Sequence, residues 1–336
     1  MGEKPRAVFV SSAGGGASAL FDAVYPPALR RRLRVVCELE ETICGGGGVE
    51  VAADVQWVFS TWGMPAWSAP TLERLPALRA VFYAAGSVQH FARPLLERGV
   101  TVVSAWAANA LPVAEYVLGQ VLLACRRAWP AALRLREQKS PAAWHTEGAA
   151  GSYGAKVALV ALGMVGRRVA ELLRPFDLEV IGYDPYVSDD VLSALRVRRA
   201  SLEECFETAD VVSLHLPKLP STRGMIGREL LRRMKPYATL INTARGEVLD
   251  AEALFAVLRE RADLTAVVDV TDPAEPPPEG SPYYALQNLV LTPHLAGTLG
   301  NERARLGLYV VEEAERLARG EPLRYGVTLK MLETMA

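Results

Sequence analysis

Cysteine is scarce in this chain of 336 residues, and no two cysteines are spaced as C-x-x-C. Cys37, Cys44, Cys125 and Cys205 are scattered, which suggests neither a zinc site nor a disulfide framework. No metal is expected, and reduced thiols fit a cytoplasmic protein. An excess of one charge is missing too: 37 Lys plus Arg stand against 38 Asp plus Glu. That balance argues against nucleic acid or an anionic membrane as a partner. The run Arg30–Arg32 is read as a solvated helix face. The opening stretch MGEKPRAVFVSSAGGG lacks the apolar core of a secretion signal, and its Val8–Val10 reads as a first strand. The most apolar long run, Ala105–Cys125, contains Asn109, Pro112, Glu115 and Gln120, so a buried helix is expected rather than a membrane span.

Apolar residues, by contrast, make up 50% of the chain, enough for sizeable cores, and the length predicts roughly two domains. From about 157 to 294, short β-rich runs alternate with helical patterns. The runs are Val157–Leu162, Glu179–Tyr183, Val211–His215, Thr239–Asn242, Thr265–Val270 and Leu289–Leu291. Between them lie GRRVAELLRPF, SLEECFETA, GRELLRRM and DAEALFAVLRERA, with apolar residues at helical spacing. Asp250 is a plausible N-cap for the last of these. Continuous apolar strands separated by helices predict an α/β fold with a parallel sheet covered on both faces. A looser α/β region occupies about 5 to 105, with strands at Ala7–Val10, Val55–Ser60, Ala80–Tyr83 and Thr101–Ser104. GGGG at 45–48 and PPPEG at 276–280 are read as loops. A final helical stretch, about 300 to 319, follows the alternating region and could pack back on the N-terminal one.

The stretch VALVALGMVG (157–166) resembles a dinucleotide-binding phosphate turn with one glycine absent. The pattern G-x-G-x-x-G needs glycine at 161, 163 and 166; the chain has Ala161, Gly163 and Gly166. The first glycine makes a tight turn, the second admits the pyrophosphate and the third lets helix pack on strand. A methyl at 161 is tolerable if φ is negative; a positive φ costs about 1–2 kcal/mol. The turn follows a strand and opens a helix whose N-terminus suits phosphate. The next strand ends in Asp184, where an acid accepts the adenosine ribose hydroxyls. Asp184 should repel a 2′-phosphate, and DPYVSDD carries no Arg or Lys, so NAD is expected over NADP. Gly14–Gly16 also follow a strand, but no G-K-[ST] follows them, and they are read as a loop.

Three further stretches, LINTARGEVLD (240–250), VVDVTDPAEPP (267–277) and LVLTPHLAG (289–297), stand in order behind the glycine turn. Together they resemble the D-isomer-specific 2-hydroxyacid dehydrogenase family. NALPVAEYVLGQVLLACRR (109–127) resembles its linker helix and AAGSVQHF (84–91) its substrate loop. Formate dehydrogenases of the family carry alanine at the place of Ala161. The resemblance implies two Rossmann-like domains, parallel sheets flanked by helices, with the active site in the interdomain cleft. It implies a discontinuous substrate-binding domain at 1–108 and 300–336 and an NAD-binding domain at 109–299. It also implies a homodimer, contacting through the coenzyme domains and the apolar Leu111–Cys125.

Reducing a 2-keto acid needs a cation for the carboxylate and carbonyl, a proton donor and a hydride source. The resemblance assigns the cation to Arg245, whose planar fork suits a carboxylate. It assigns the acid/base to His294, whose imidazole titrates near neutrality. A carboxylate at the far ring nitrogen would favour the imidazolium, and the family's Glu-Pro pair points to Glu275. That glutamate lies six positions after Asp269 where five are usual, so Asp272 stays open as the alternative. By resemblance, Ala85, Gly86 and Ser87 offer N–H groups to the substrate carboxylate and Asn109 sits at the hinge. Thr243, Ala244 and Asp269 flank the nicotinamide. Cofactor contacts extend to Met164, Val165, His215, Pro217 and Gly297. Trp62 is read equally as a pocket wall or a core residue, and Trp144 could reach a partner subunit's cleft. The reading is thus an NAD-dependent oxidoreductase acting on a D-2-hydroxyacid or its 2-keto acid. An NAD(H)-binding corepressor or sensor without turnover is the alternative, and formate dehydrogenase is disfavoured because that branch carries glutamine where Glu275 stands.

Overall fold

The computed structural model describes residues 3–45 and 50–334. Most of the GGGG stretch at 45–48 lies outside the described residues. In chain order the strands are β1 Arg6–Val10, β2 Glu38–Cys44, β3 Trp57–Ser60, β4 Ala80–Tyr83, β5 Thr101–Ser104, β6 Lys156–Val160 and β7 Glu179–Tyr183. They continue with β8 Arg198–Arg199, β9 Val211–Leu214, β10 Thr239–Asn242, β11 Thr265–Val268, β12 Leu289–Leu291 and β13 Gly326–Val327. The chain divides into two units, Met1–Asn109 with Thr298–Ala336, and Ala110–Gly297.

The first unit holds a six-stranded sheet in the order β13-β5-β4-β3-β1-β2. All pairs are parallel except β13 with β5. Both faces of β1, β3 and β4 are covered, which is why these strands read as unbroken apolar runs. One face carries an aromatic cluster: Phe9 meets Tyr25 at 5.0 Å and Phe21 at 5.1 Å, and Phe59 stacks on Phe82 at 4.8 Å. Helix Arg303–Ala318 lays Leu306, Val310, Val311 and Ala314 into the same core. Two readings change here. Arg30 is no solvated residue: it donates to the Tyr25 carbonyl at 2.7 Å, pairs with Asp22 and Glu41, and lies 5.4 Å from the Phe9 ring centroid. The Gly14–Gly16 loop is wound into the short 3₁₀ turn Gly14–Ala17.

The second unit holds a seven-stranded, wholly parallel sheet in the order β12-β11-β10-β9-β6-β7-β8. Renumbered within the unit, this is the doubly wound order 3-2-1-4-5-6 with one strand added. The order reverses between β6 and β9, the place where such sheets bind ligands beyond the carboxyl ends of their strands. Asp250 caps helix Ala251–Glu260, accepting from the Ala253 N–H at 2.9 Å.

Helix Trp106–Cys125 is long and apolar enough to cross a membrane, yet 56% of its apolar 18-residue window is buried within the protein. Ala114, Val117 and Val121 are fully buried in the second unit's core, while Glu115, Gly119 and Leu123 face outward.

Candidate active site

The phosphate turn sits where β6 ends. Ala161 adopts φ +76°, the left-handed region that a β-carbon disfavours. The missing glycine therefore leaves strain in the turn. Gly166 is demanded by packing: a β-carbon there would lie 2.2 Å from the Ala161 carbonyl oxygen. Gly163 is different, since nothing stands within 4 Å of the place a β-carbon would take. It and Met164 are exposed at the start of helix Met164–Leu173, and Val165 is half-buried behind them. An open, N–H-rich helix start is what a pyrophosphate requires.

Asp184 ends β7 and is nearly buried. Its carboxylate accepts from the Leu162 N–H at 2.7 Å and the Tyr186 N–H at 2.8 Å, which fixes it against the glycine turn. His215 follows β9, and its ring touches the place a Gly166 β-carbon would occupy. Both its ring nitrogens are buried without a hydrogen-bond partner, and burial pushes its pKa down to about 4. Thr243 Oγ1, after β10, is likewise buried and unpartnered. Pro217 is half-buried, and its carbonyl accepts from Thr222 Oγ1 at 2.6 Å. The open cradle at Gly163 and these orphaned polar atoms fit a dinucleotide.

Arg245 follows the same strand end. Asn242, fully buried, shapes the turn: its side chain accepts from the Ala244 N–H and donates to the Arg245 carbonyl, both at 3.1 Å. The Arg245 guanidinium donates to the Ala244 carbonyl at 2.6 Å and has no ion-pair partner among the described residues. Burial presses its pKa down, with Glu247 and Glu275 opposing. A guanidinium holds its proton regardless, so the site keeps a half-buried cation with free donors. Gly246, the next residue, lies so close to the Thr271 carbonyl that a β-carbon would fall within 2.2 Å. The Arg245 turn and the loop after β11 are thereby pressed together.

That loop brings Glu275 onto His294: Glu275 Oε1 contacts His294 Nδ1. Thr271 closes the loop, its hydroxyl donating to the Ala274 carbonyl at 2.6 Å and its N–H reaching Glu275 Oε2 at 3.4 Å. Asp272, the alternative partner, makes no contact with His294. It lines a groove of about 630 Å³ with Arg223, Glu247 and Tyr283. Asp269 is 2% exposed, and its carboxylate accepts from Thr292 Oγ1 at 2.5 Å and from the N–H groups of Leu295 and Ala296, both at 2.9 Å. It therefore grips the loop that carries His294, an engagement not read from the sequence. Gly297 closes the second unit.

In the first unit, the N–H groups of Ala85, Gly86 and Ser87 find no acceptor among the described residues. Ser104 Oγ holds the carbonyls of Ala85 and Gly86 at 2.9 and 2.6 Å. Asn109 Oδ1 accepts from the Thr298 N–H at 3.3 Å and its hydroxyl at 2.8 Å. Trp62, just past β3, is 39% exposed and so is no core residue.

Residues 118–296 match the family described as D-isomer specific 2-hydroxyacid dehydrogenase, NAD binding domain. The chain belongs to this family. It is 35% identical over 256 residues to a glyoxylate reductase of Korarchaeum cryptofilum, covering 75% of this chain and 77% of that protein. It is 33% identical over 228 residues to a D-3-phosphoglycerate dehydrogenase of Methanocaldococcus jannaschii. That match covers 67% of this chain but only 42% of the relative, so the chain spans less than half the length of that dehydrogenase. The crystal structure of the TT0316 protein from Thermus thermophilus superposes with a TM-score of 0.72 at 30% identity, over 96% of this chain and 100% of that one. The second unit is thus the family's NAD-binding domain, and the cofactor is NAD.

Asn242 and Thr292 are site residues that sequence reasoning passed over. Both belong to quoted motifs, LINTARG and LVLTPH, but their neighbours drew the attention.

Proposed function

We propose that this member of the family is an NAD-dependent oxidoreductase that interconverts a D-2-hydroxyacid and its 2-keto acid. The observation that carries the reading is the His294–Glu275 contact beside an uncompensated Arg245, at the carboxyl ends of parallel strands. Bound NAD(H) supplies or accepts the hydride. Arg245 takes the substrate carboxylate and polarises the carbonyl oxygen, where negative charge develops. His294 gives a proton to that oxygen in reduction and takes it back in oxidation. Glu275 orients the imidazole and balances its charged form. The unengaged N–H groups at 85–87 offer the carboxylate further donors. On this reading 1–108 with 300–336 is the substrate-binding domain and 109–299 binds NAD.

We place the protein in the cytoplasm, a reading supported by four buried free cysteines. We propose a homodimer on the outward faces of helices Trp106–Cys125 and Ala128–Gln138. Helix Ala128–Gln138 buries none of its residues, and Leu123, Leu133 and Trp144 are 38%, 41% and 77% exposed. Light scattering at micromolar concentration should give the dimer mass; a monomer removes this point. The activity is tested by NADH oxidation with glyoxylate, hydroxypyruvate, pyruvate and 2-oxoglutarate. Turnover with at least one is expected. None across a wide panel would favour a protein that binds NAD(H) only to sense it.

A further inference from the structure

His294 stands at φ +50°, a left-handed backbone that costs a residue with a side chain about 1–2 kcal/mol. Such a conformation persists only where its surroundings over-determine it. Besides the Glu275 contact, the surroundings here are chiefly one residue's polar groups. The Asp269 carbonyl accepts from the His294 N–H at 3.1 Å, and the Asp269 carboxylate holds Thr292, Leu295 and Ala296. Pro293 has no N–H to offer; of the other backbone N–H groups of 292–296, those of Leu295 and Ala296 go to Asp269, that of His294 is shared between the Asp269 carbonyl and the Thr292 carbonyl at 3.0 Å, and that of Thr292 goes to the Val268 carbonyl at 2.9 Å.

One more link stands outside this loop. Tyr116 Oη lies 3.0 Å from Thr292 Oγ1. A threonine hydroxyl has one proton, and an ionised carboxylate can only accept. Thr292 therefore donates to Asp269, and Tyr116 must donate to Thr292. The chain of bonds has one direction: Tyr116 to Thr292 to Asp269. Burial holds the Tyr116 phenol above its usual range, which keeps the donor proton in place. Tyr116 belongs to helix Trp106–Cys125, 176 residues from Thr292 along the sequence. The hydroxyl thus anchors the His294 loop to a helix that lays Ala114, Val117 and Val121 into the core.

We propose that Tyr116 is a positioning residue for the acid/base His294, acting through the Thr292 hydroxyl and the Asp269 carboxylate. The proposal rests on the proposed function for the role of His294, but the anchoring itself does not. Removing the phenolic proton donor leaves Thr292 free to rotate its hydroxyl, and Asp269 loses one fixed acceptor geometry. The His294 loop then samples other backbone states. Its ring spends less time where the proton is needed, while the phosphate turn is untouched.

Tyr116→Phe keeps the ring and removes only the donor. We expect kcat for 2-keto acid reduction to fall by about threefold to tenfold, with the Kd for NADH changed by less than twofold. Amide hydrogen exchange at His294, Leu295 and Ala296 should speed up by at least threefold, while amides of β6 stay as they are. Thr292→Val should reproduce both effects, and Thr292→Ser should restore them. In a Thr292→Val background, Tyr116→Phe should add nothing, because the chain is already broken. Unchanged exchange in Tyr116→Phe overturns the proposal, as does an additive double variant or a loss confined to NADH affinity. Should Tyr116→Phe fail to fold, the Thr292→Val and Thr292→Ser pair decides by the same readouts. Should the wild type turn over no keto acid, the proposed function fails, and the exchange data alone decide whether Tyr116 anchors the loop.

Discussion

Glu275 sets its Oε1 on Nδ1 of His294, and the opposite ring nitrogen has no hydrogen-bond partner among the described residues. A carboxylate in this place fixes the orientation of the ring. Glu275→Gln keeps the shape and removes the charge. It should lower kcat for keto-acid reduction by about tenfold to a thousandfold, within the range that general acid catalysis contributes. Asp272→Asn should change kcat by less than about twofold at any pH. Steady-state rates from pH 6 to pH 9 check both. A large effect from Asp272 with none from Glu275 would contradict the observed pairing.

The three positions of the glycine turn should respond differently. Ala161→Gly relieves about 1–2 kcal/mol of backbone strain but adds about 0.5–1 kcal/mol of unfolded-state entropy. A net gain of about 1 kcal/mol or less is expected, with NADH affinity changed by less than about tenfold. Gly166→Ala drives a β-carbon into the Ala161 carbonyl and should cost about 1–3 kcal/mol of stability. Gly163→Val should melt much like the wild type, since its β-carbon meets open space, yet bind NADH hardly at all. Thermal unfolding and NADH titration of the three variants separate these outcomes. Wild-type affinity in Gly163→Val would mean that the turn does not cradle phosphate.

His215 gives the fold a pH dependence of known sign. Its native pKa is pushed down from 6.5 to about 4 by burial, so between these values the unfolded chain binds a proton that the native state refuses. Stability contributed by the neutral ring is therefore complete above pH 6.5. It is lost as pH falls towards 4, by up to about 3 kcal/mol. His215→Gln cannot titrate, so its unfolding free energy should fall less than the wild type's between pH 6.5 and pH 4.5. Urea unfolding at the two pH values measures this. Equal slopes for both proteins would show that the ring is not held neutral.

Much of the NAD-binding unit was legible because its central strands β6, β9, β10 and β11 are buried on both faces and read as nearly unbroken apolar runs. Glu179–Tyr183, Thr239–Asn242 and Leu289–Leu291 lie where the pattern puts them. β2 was not legible. It is an edge strand, ELEETIC, whose glutamates face solvent and basic residues such as Arg30 and Arg6. The two-residue strands β8 and β13 carry too little pattern to read. In the site, residue types showed what chemistry was possible, but the choice between Glu275 and Asp272 depended on the path of a proline-rich loop. The sign of φ at Ala161 and the Tyr116–Thr292 bond depend on tertiary structure alone.

We propose that Asp184 governs the choice of cofactor. Two backbone N–H groups fix its carboxylate beside the turn, where a 2′-phosphate would meet a second negative charge. Arg199 is near but engaged, donating to Asp189 at 2.7 Å and to the carbonyls of Val187 and Asp184 at 2.6 and 3.2 Å. NADH should be preferred to NADPH by about a hundredfold or more in kcat/KM, a difference of about 2.7 kcal/mol. Asp184→Ser should narrow the gap chiefly by loss of NADH use. Equal use of both cofactors by the wild type would contradict this and turn suspicion to Arg199.

We propose direct transfer of hydride between NAD(H) and C2 of a 2-hydroxyacid under acid/base control by His294. It is tested most directly with NADH stereospecifically deuterated at C4, in both epimers, and the best keto acid of the panel. One epimer should deliver its deuterium to C2, the product should be wholly the D-hydroxyacid, and His294→Ala should lower the rate by at least about a hundredfold. Deuterium appearing in water, an L or racemic product, or a His294→Ala variant as fast as the wild type would contradict it.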